Sequence, residues 1–239
     1  MNHCDLTLST PAENLACDEA LLGLCEAGLS DQLLRFWEPA QPFVALGYAN
    51  KAATEVNLPF CQQHAIPVLR RCTGGGTVLQ GPGVLNYSLI LRTDASGPFH
   101  SIPATNEFVL TRHQAALSAL LQAPVEQQGH TDLAIASLKF SGNAQRRGKH
   151  FLLFHGSFLL HLDVALVEKT LPLPSRQPVY RRNRSHSDFL MNLNVPGASV
   201  KAALRDTWNA TAPMGMPPLD QIGALAREKY RLDEWNFKF

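Results

Sequence analysis

The stretch Arg70-Arg71-Cys72-Thr73-Gly74-Gly75-Gly76-Thr77-Val78 constrains this chain more than any other. Consecutive glycines bury no side chain and lose more conformational freedom on folding than any other residue, so packing does not explain them. They supply a backbone that can take positive φ and come close to a ligand, with N–H groups free to face an anion. Two arginines stand directly upstream, and a guanidinium suits carboxylate or phosphate. Pro67-Val68-Leu69 before the block and Thr77-Val78-Leu79 after it read as short strands. The block is therefore a basic, glycine-rich corner between strands. A plain hairpin turn is the alternative, but such turns need fewer glycines and no paired arginines.

A chain of 239 residues can bury one full core, or somewhat more. Its net charge of +1 argues against a nucleic-acid partner, which calls for an excess of Lys and Arg. Cys4, Cys17, Cys25, Cys61 and Cys72 form no CxxC pair. Reduced thiols in a cytoplasmic protein fit better than a disulfide frame or a zinc site. Met1-Asn2-His3-Cys4-Asp5 does not open a signal peptide, and no apolar run reaches membrane-spanning length. Neither a membrane nor a bound metal centre is expected.

Thr10-Pro11-Ala12-Glu13 carries the signature of a helix start with a capping box. Strands are expected at 33–37, 43–48 and 85–91, with a short helical stretch opening at Asn50-Lys51 and a second near 57–64. A long helical pattern follows Pro103 and Thr105. Strands recur at 133–135, 138–141 and 151–160, and Asp163 caps a further helix. Residues 171–194 read as irregular, and 199–208 and 219–230 as closing helices. Without a repeat or a linker, this predicts one α+β domain over 1–239, a sheet with hairpins covered by helices.

A second constellation is Lys139-Phe140-Ser141-Gly142-Asn143. On a strand, Lys139 points away from the face of Leu138 and Phe140. It is either solvated or aimed into a cleft, and a small polar turn at Ser141-Gly142-Asn143 would let a ligand come near. His155-Gly156-Ser157 is a third feature, in which His155 is structural or functional. Arg181-Arg182-Asn183-Arg184 is a solvated face or a steering patch for an acidic partner. Gly142 to Lys149 lacks the spacing of a P-loop, and His150 stands where Ser or Thr would bind magnesium. No dinucleotide fingerprint, HExxH helix or Gly-x-Ser-x-Gly elbow is present.

The two blocks Arg70–Val78 with Leu85-Asn86-Tyr87-Ser88, and Lys139–Arg146 with His155-Gly156-Ser157, resemble the lipoate–protein ligase A / octanoyltransferase superfamily, relatives of biotin–protein ligases. Glu13 to Leu22 resembles the family's first helix. The resemblance implies a class II synthetase or biotin ligase-like fold, with a mixed, mostly antiparallel sheet flanked by helices. It implies a slender apolar slot for an octanoyl or lipoyl chain, with Leu46 and Val78 on its wall. Partners would be lipoyl domains of the 2-oxoacid dehydrogenase E2 or glycine cleavage H type, and a separate accessory protein where a C-terminal accessory domain is missing.

Members of the family follow two chemistries. Ligases use ATP, with Mg2+ as its counter-ion, to form an acyl-adenylate. Octanoyltransferases take octanoate from acyl carrier protein, and some use a cysteine in the loop before the lysine strand. Here that loop is Glu126-Gln127-Gln128-Gly129-His130-Thr131-Asp132-Leu133, without cysteine, which favours the ligase. The usual His-Asp after the glycine block is Gln80-Gly81 here. In the ligase assignment Lys139 is catalytic, Gly74, Gly75 and Gly76 cradle phosphate, and Arg70 is the main guanidinium contact. Thr77, Val78, Asn86, Asp132, Ser141, Gly142, His155 and Gly156 complete the substrate-binding set. Octanoyl transfer without ATP and a non-catalytic acyl-binding module are the alternatives.

Overall fold

The computed structural model describes residues 1–239. Eleven strands form two sheets: β1 (Asn2–Asp5), β2 (Leu33–Trp37), β3 (Phe43–Leu46), β4 (Val68–Arg70), β5 (Val78–Gln80), β6 (Val84–Arg92), β7 (Glu126–Gln128), β8 (Asp132–Ile135), β9 (Leu138–Arg147), β10 (Phe151–Leu159) and β11 (Ala212–Pro213). The larger sheet has the order β11-β1-β2-β6-β10-β9-β8-β7 and the smaller β4-β3-β5. In the larger sheet only the β1 pairings with β11 and β2 are parallel. The helices are α1 (Pro11–Glu26), α2 (Ala52–Glu55), α3 (Leu58–Gln63), α4 (Ile102–Leu121), α5 (Val164–Thr170), α6 (His186–Phe189), α7 (Gly197–Thr207), α8 (Leu219–Leu225) and α9 (Asp233–Asn236). The mixed, mostly antiparallel sheet flanked by helices is the expected architecture. No helix is long and apolar enough to cross a membrane.

Alternation along the central strands divides the core. Leu152, Phe154 and Phe158 of β10 pack with Leu85, Tyr87 and Leu89 of β6 against Val109, Leu110 and Leu117 of α4 and Val200 and Leu204 of α7. Phe151 and Leu153 face the other way, with Ile90, against Leu15, Leu21 and Leu22 of α1. His155 continues the α1-facing series because side chains alternate with period two. The register also sets Arg35 of β2 beside Ser88 of β6, and Ser88 beside His155. This cross-strand row places polar groups beneath α1. The capping box is formed: Glu13 N donates to Thr10 Oγ1 and Thr10 N to Glu13 Oε2.

The glycine corner lies between two strands, as read, and two other local expectations change. β4 and β5 flank the glycine corner, but both pair with β3 and not with each other. The corner therefore spans a strand instead of closing a hairpin. Strand β9 does not end in a turn at Ser141; it runs to Arg147, held by β8 on one side and β10 on the other. Residues 171–194 contain two short helical turns, Val179–Arg181 and His186–Phe189. Arg181 and Arg184 are not a free basic face there. Each donates through Nε to the other's carbonyl, and both guanidinium groups lie over Phe189.

One buried histidine gives the fold a pH dependence. His113 of α4 is fully buried and accepts a hydrogen bond from Trp208 Nε1 at 2.8 Å. Burial lowers its pKa to about 3, so the folded chain holds it neutral. The unfolded chain takes up that proton below the ordinary value of about 6.5. Stability is therefore full above that value and falls as pH drops toward 3. A denaturant midpoint measured against pH should decline through this window, and His113→Gln, which keeps an acceptor for Trp208, should flatten the decline.

Candidate active site

A cavity of about 510 Å3 opens between the two sheets, within the size range of small-molecule sites. Its apolar lining includes Leu15, Trp37, Ala45, Val78, Leu159 and Leu171. The polar wall carries Arg71, Gly75, Gly76, Asn86, Lys139 and His155. Thr77, Asp132, Ser141, Gly142 and Gly156 line it too. Lys139 and two glycines of the block, Gly75 and Gly76, far apart in sequence, thus line one hollow that also has apolar side chains.

The glycine corner is built from both sides. Tyr48 N donates to the Thr73 carbonyl at 2.8 Å. A Cβ on Gly47 would lie 2.0 Å from the Gly75 carbonyl oxygen, so only glycine lets β3 approach here. Gly75 itself has φ +89°, a region that L residues avoid. Arg71 ties down the carbonyls, donating to Gly74 O at 2.7 Å and Gly76 O at 2.9 Å. The amides of Gly74, Gly75 and Gly76 donate to no acceptor within the chain. A bed of free N–H groups beside a guanidinium is an anion-binding arrangement.

Lys139 Nζ lies 2.8 Å from Asp132 Oδ1. The hydroxyl of Tyr180 donates to the other oxygen of Asp132 at 2.8 Å. Burial and the Asp132 carboxylate push the Tyr180 hydroxyl up, so it stays a donor. Phe140 enters the core opposite, as strand alternation requires. Gly142 leaves room for the lysine, since a Cβ there would stand 2.9 Å from Lys139 Nζ and 3.0 Å from Cε. In a strand, glycine often marks such a close approach. Gly142→Ala is expected to leave the melting temperature near wild type, because only the end of a flexible side chain must move. Activity should fall on the order of 10²-fold, since a displacement of about 1 Å at a reacting group costs that much. A thermal melt beside a rate measurement checks both halves.

His155 is held at both nitrogens. Nε2 is 2.7 Å from Thr73 Oγ1 and Nδ1 is 3.2 Å from Asp18 Oδ2. Asp18 in turn is 2.6 Å from Arg35 Nη1. Burial alone would raise the Asp18 pKa; the Arg35 charge and the His155 hydrogen bond outweigh it and hold the carboxyl below the usual range.

Arg70, expected as the main guanidinium contact, is not at the cavity. Its side chain is fully buried and donates to the carbonyls of Gly47, Tyr48, Asn50, Trp235 and Asn236. Arg71 takes the cavity position instead. Leu46 points into the core beside α3 and lines nothing. Gly74 borders only a second cavity of about 900 Å3, which Gly75 and Gly76 also line together with Tyr48, Cys72, Arg146 and Trp235. Tyr180 and the lining segment Pro172–Pro178 escaped sequence reasoning, because that stretch has no periodic pattern. Within one strand, only the spacing of Arg70 and Arg71 to opposite faces could have separated their roles.

No group of three His, Cys, Asp or Glu side chains is placed to hold a metal ion. Asp132, the acidic side chain nearest Lys139, is already paired.

The fold and site define an α+β protein with an anion-binding corner and a lysine lining one cavity together with apolar side chains. The family model for the lipoyl protein ligase A/B catalytic domain matches residues 10–204, and the chain belongs to that family. The octanoyltransferase LipM of Halalkalibacterium halodurans is 27% identical, covering 95% of each chain. Lipoate–protein ligase 1 of Staphylococcus aureus is 27% identical over 96% of this chain and 71% of its own length. Among solved structures, the bi-partite lipoate protein ligase of Thermoplasma acidophilum superposes with a TM-score of 0.81 at 24% identity, covering 99% of this chain and 95% of that one. A lipoate–protein ligase A bound with ATP gives 0.76 at 25%, covering 99% and 98%.

Proposed function

We propose that this chain activates lipoate or octanoate with ATP as an acyl-adenylate and passes the acyl group to a lysine of a lipoyl domain. The observation that carries this is the make-up of one cavity wall. Lys139, Arg71 and the free amides of Gly75 and Gly76 line one cavity together with apolar side chains, and no cysteine lines it. Cys72 borders the second cavity instead. Burial raises Cys72, and pushes Cys4 and Cys25 up to about 11, so these thiols stay protonated at neutral pH. A thioester intermediate has no nucleophile here.

The acid is already ionised at neutral pH, and its carboxylate attacks the α-phosphorus with pyrophosphate leaving. The site supplies positioning and charge stabilisation. The Lys139 ammonium has three N–H donors; one stays on Asp132 and the others hold the carboxylate and an α-phosphate oxygen. The amides of Gly75 and Gly76 and the Arg71 guanidinium face the phosphates. Asn86, whose Nδ2 donates to Gln80 Oε1 at 2.9 Å, offers its carbonyl toward the nucleotide. Gly156 lets the Asn143 side chain pack across it, since a Cβ there would strike Asn143 Oδ1. Magnesium enters with ATP as its counter-ion. The acceptor is a lipoyl domain of the E2 or H type, the whole chain acts as one catalytic unit, and the free thiols fit a cytoplasmic setting.

A second reading, octanoyl transfer from acyl carrier protein, is favoured by the match to LipM relatives over nearly their full length, against about seven-tenths for the ligases of Staphylococcus aureus and Bacillus subtilis. Two assays separate the readings. The ligase makes octanoyl-lipoyl domain from octanoate, ATP and apo-domain. Product from octanoyl-carrier protein alone, with none from octanoate and ATP, would reject it.

A further inference from the structure

We propose that His155, oriented by Asp18, is the base that removes the proton from the acceptor amine during acyl transfer. This rests on the adenylate-and-transfer function above. In that step the amine lone pair attacks the acyl carbonyl carbon and the C–N bond forms. The C–O bond to AMP breaks and its electron pair leaves on the phosphate oxygen. Nitrogen then carries one proton too many for an amide, and that proton needs an acceptor.

Lys139, Arg71 and the glycine amides on the cavity wall are donors, and the Glu55 carboxylate already accepts from Ser175 Oγ. Asp132 is tied to Lys139 and Tyr180. His155 is different. Arg35 and Asp18, with side chains 0% and 3% exposed, form a buried anchor. The Asp18 carboxylate can only accept, so Nδ1 carries the proton, and in the neutral imidazole Nε2 is then the acceptor that faces the Thr73 hydroxyl. The imidazole is 14% exposed and lines the cavity. The order carboxylate, Nδ1–H, Nε2 lone pair is that of a supported general base. The amine displaces the Thr73 hydroxyl as donor to Nε2, and the imidazolium that forms faces Asp18. The charged groups around it come from every side: Asp18 of α1, Arg35 of β2, Arg71 before the glycine corner, Asp132 of β8 and Lys139 of β9. His130 and His186 also line the cavity. His186 is turned to the Pro172 carbonyl, and neither has a carboxylate partner.

The test separates the half-reactions. Acyl-adenylate is preformed from octanoate and ATP, then mixed rapidly with apo-lipoyl domain, and amide formation is followed by mass. In His155→Ala and His155→Gln the transfer rate is expected to fall about 10²-fold or more, well beyond any fall in adenylate formation. The acid limb of the wild-type transfer profile should vanish, and free imidazole should restore His155→Ala at least ~10-fold. Asp18→Asn should lower transfer and move the limb; if it does not fold by circular dichroism, the His155 variants and imidazole decide. Transfer by folded His155→Ala close to wild type, or an equal fall in both half-reactions without imidazole rescue, overturns the proposal. If wild type forms no adenylate, the ligase assignment fails instead. The same variants are then run with octanoyl-carrier protein as donor, where the amine loses the same proton and the same outcomes decide.

Discussion

Lys139→Ala is expected to reduce acyl-adenylate formation by at least ~10²–10³-fold while the protein melts near the wild-type temperature. Deleting one donor aimed at developing charge typically has that effect. The ammonium is a quarter exposed at the cavity wall, so its loss removes little packing. The variant does leave Asp132 without its cation, but Tyr180 still donates to that carboxylate. Pyrophosphate exchange with octanoate and ATP measures the step directly, beside a thermal melt. Exchange at the wild-type rate would remove Lys139 from the mechanism. A matching fall in melting temperature would recast it as a structural ion pair.

Arg70→Ala and Arg71→Ala should fail in opposite ways. Arg70 is fully buried, and its five carbonyl acceptors come from two distant segments, 47–50 and 235–236. Its backbone N–H also donates to Asn236 Oδ1 at 2.8 Å. Truncation leaves those carbonyls unpaired around a void. Each buried carbonyl left without a donor costs about 1–3 kcal/mol, against total stabilities of about 5–15 kcal/mol. Arg70→Ala should therefore melt far lower or fail to fold, with residual activity in proportion to folded protein. Arg71, partly exposed, holds only the corner it belongs to. Arg71→Ala should fold and lose substrate affinity. Denaturant titration of both variants, with activity per folded molecule, reads the contrast. Equal stability of the two would contradict the division of roles.

The central elements were legible in the residues because their signals are local. A capping box, strand alternation and a cluster of glycines each depend on neighbours a few positions away. Those signals located α1, the core strands, the glycine corner and Lys139. Resemblance across the two blocks then pointed to the family that the match over residues 10–204 establishes. Strand β1 and helix α9, each four residues long, went unread.

What escaped was decided by distant contacts. Adjacent arginines on one strand end face opposite ways, and the chain alone does not say which way is inward. That was set when residues 235–236 came to rest over Arg70, leaving Arg71 to the cavity. The extension of β9 past Ser141 depended on a partner along each edge. His155 met Asp18 only because β2, β6 and β10 align in one register beneath α1. Sequence thus determined which residue types the site has and which local elements carry them. Tertiary structure decided which of them meet, because strand register and buried hydrogen-bond partners are fixed between segments far apart along the chain, as Asp18 and His155 are.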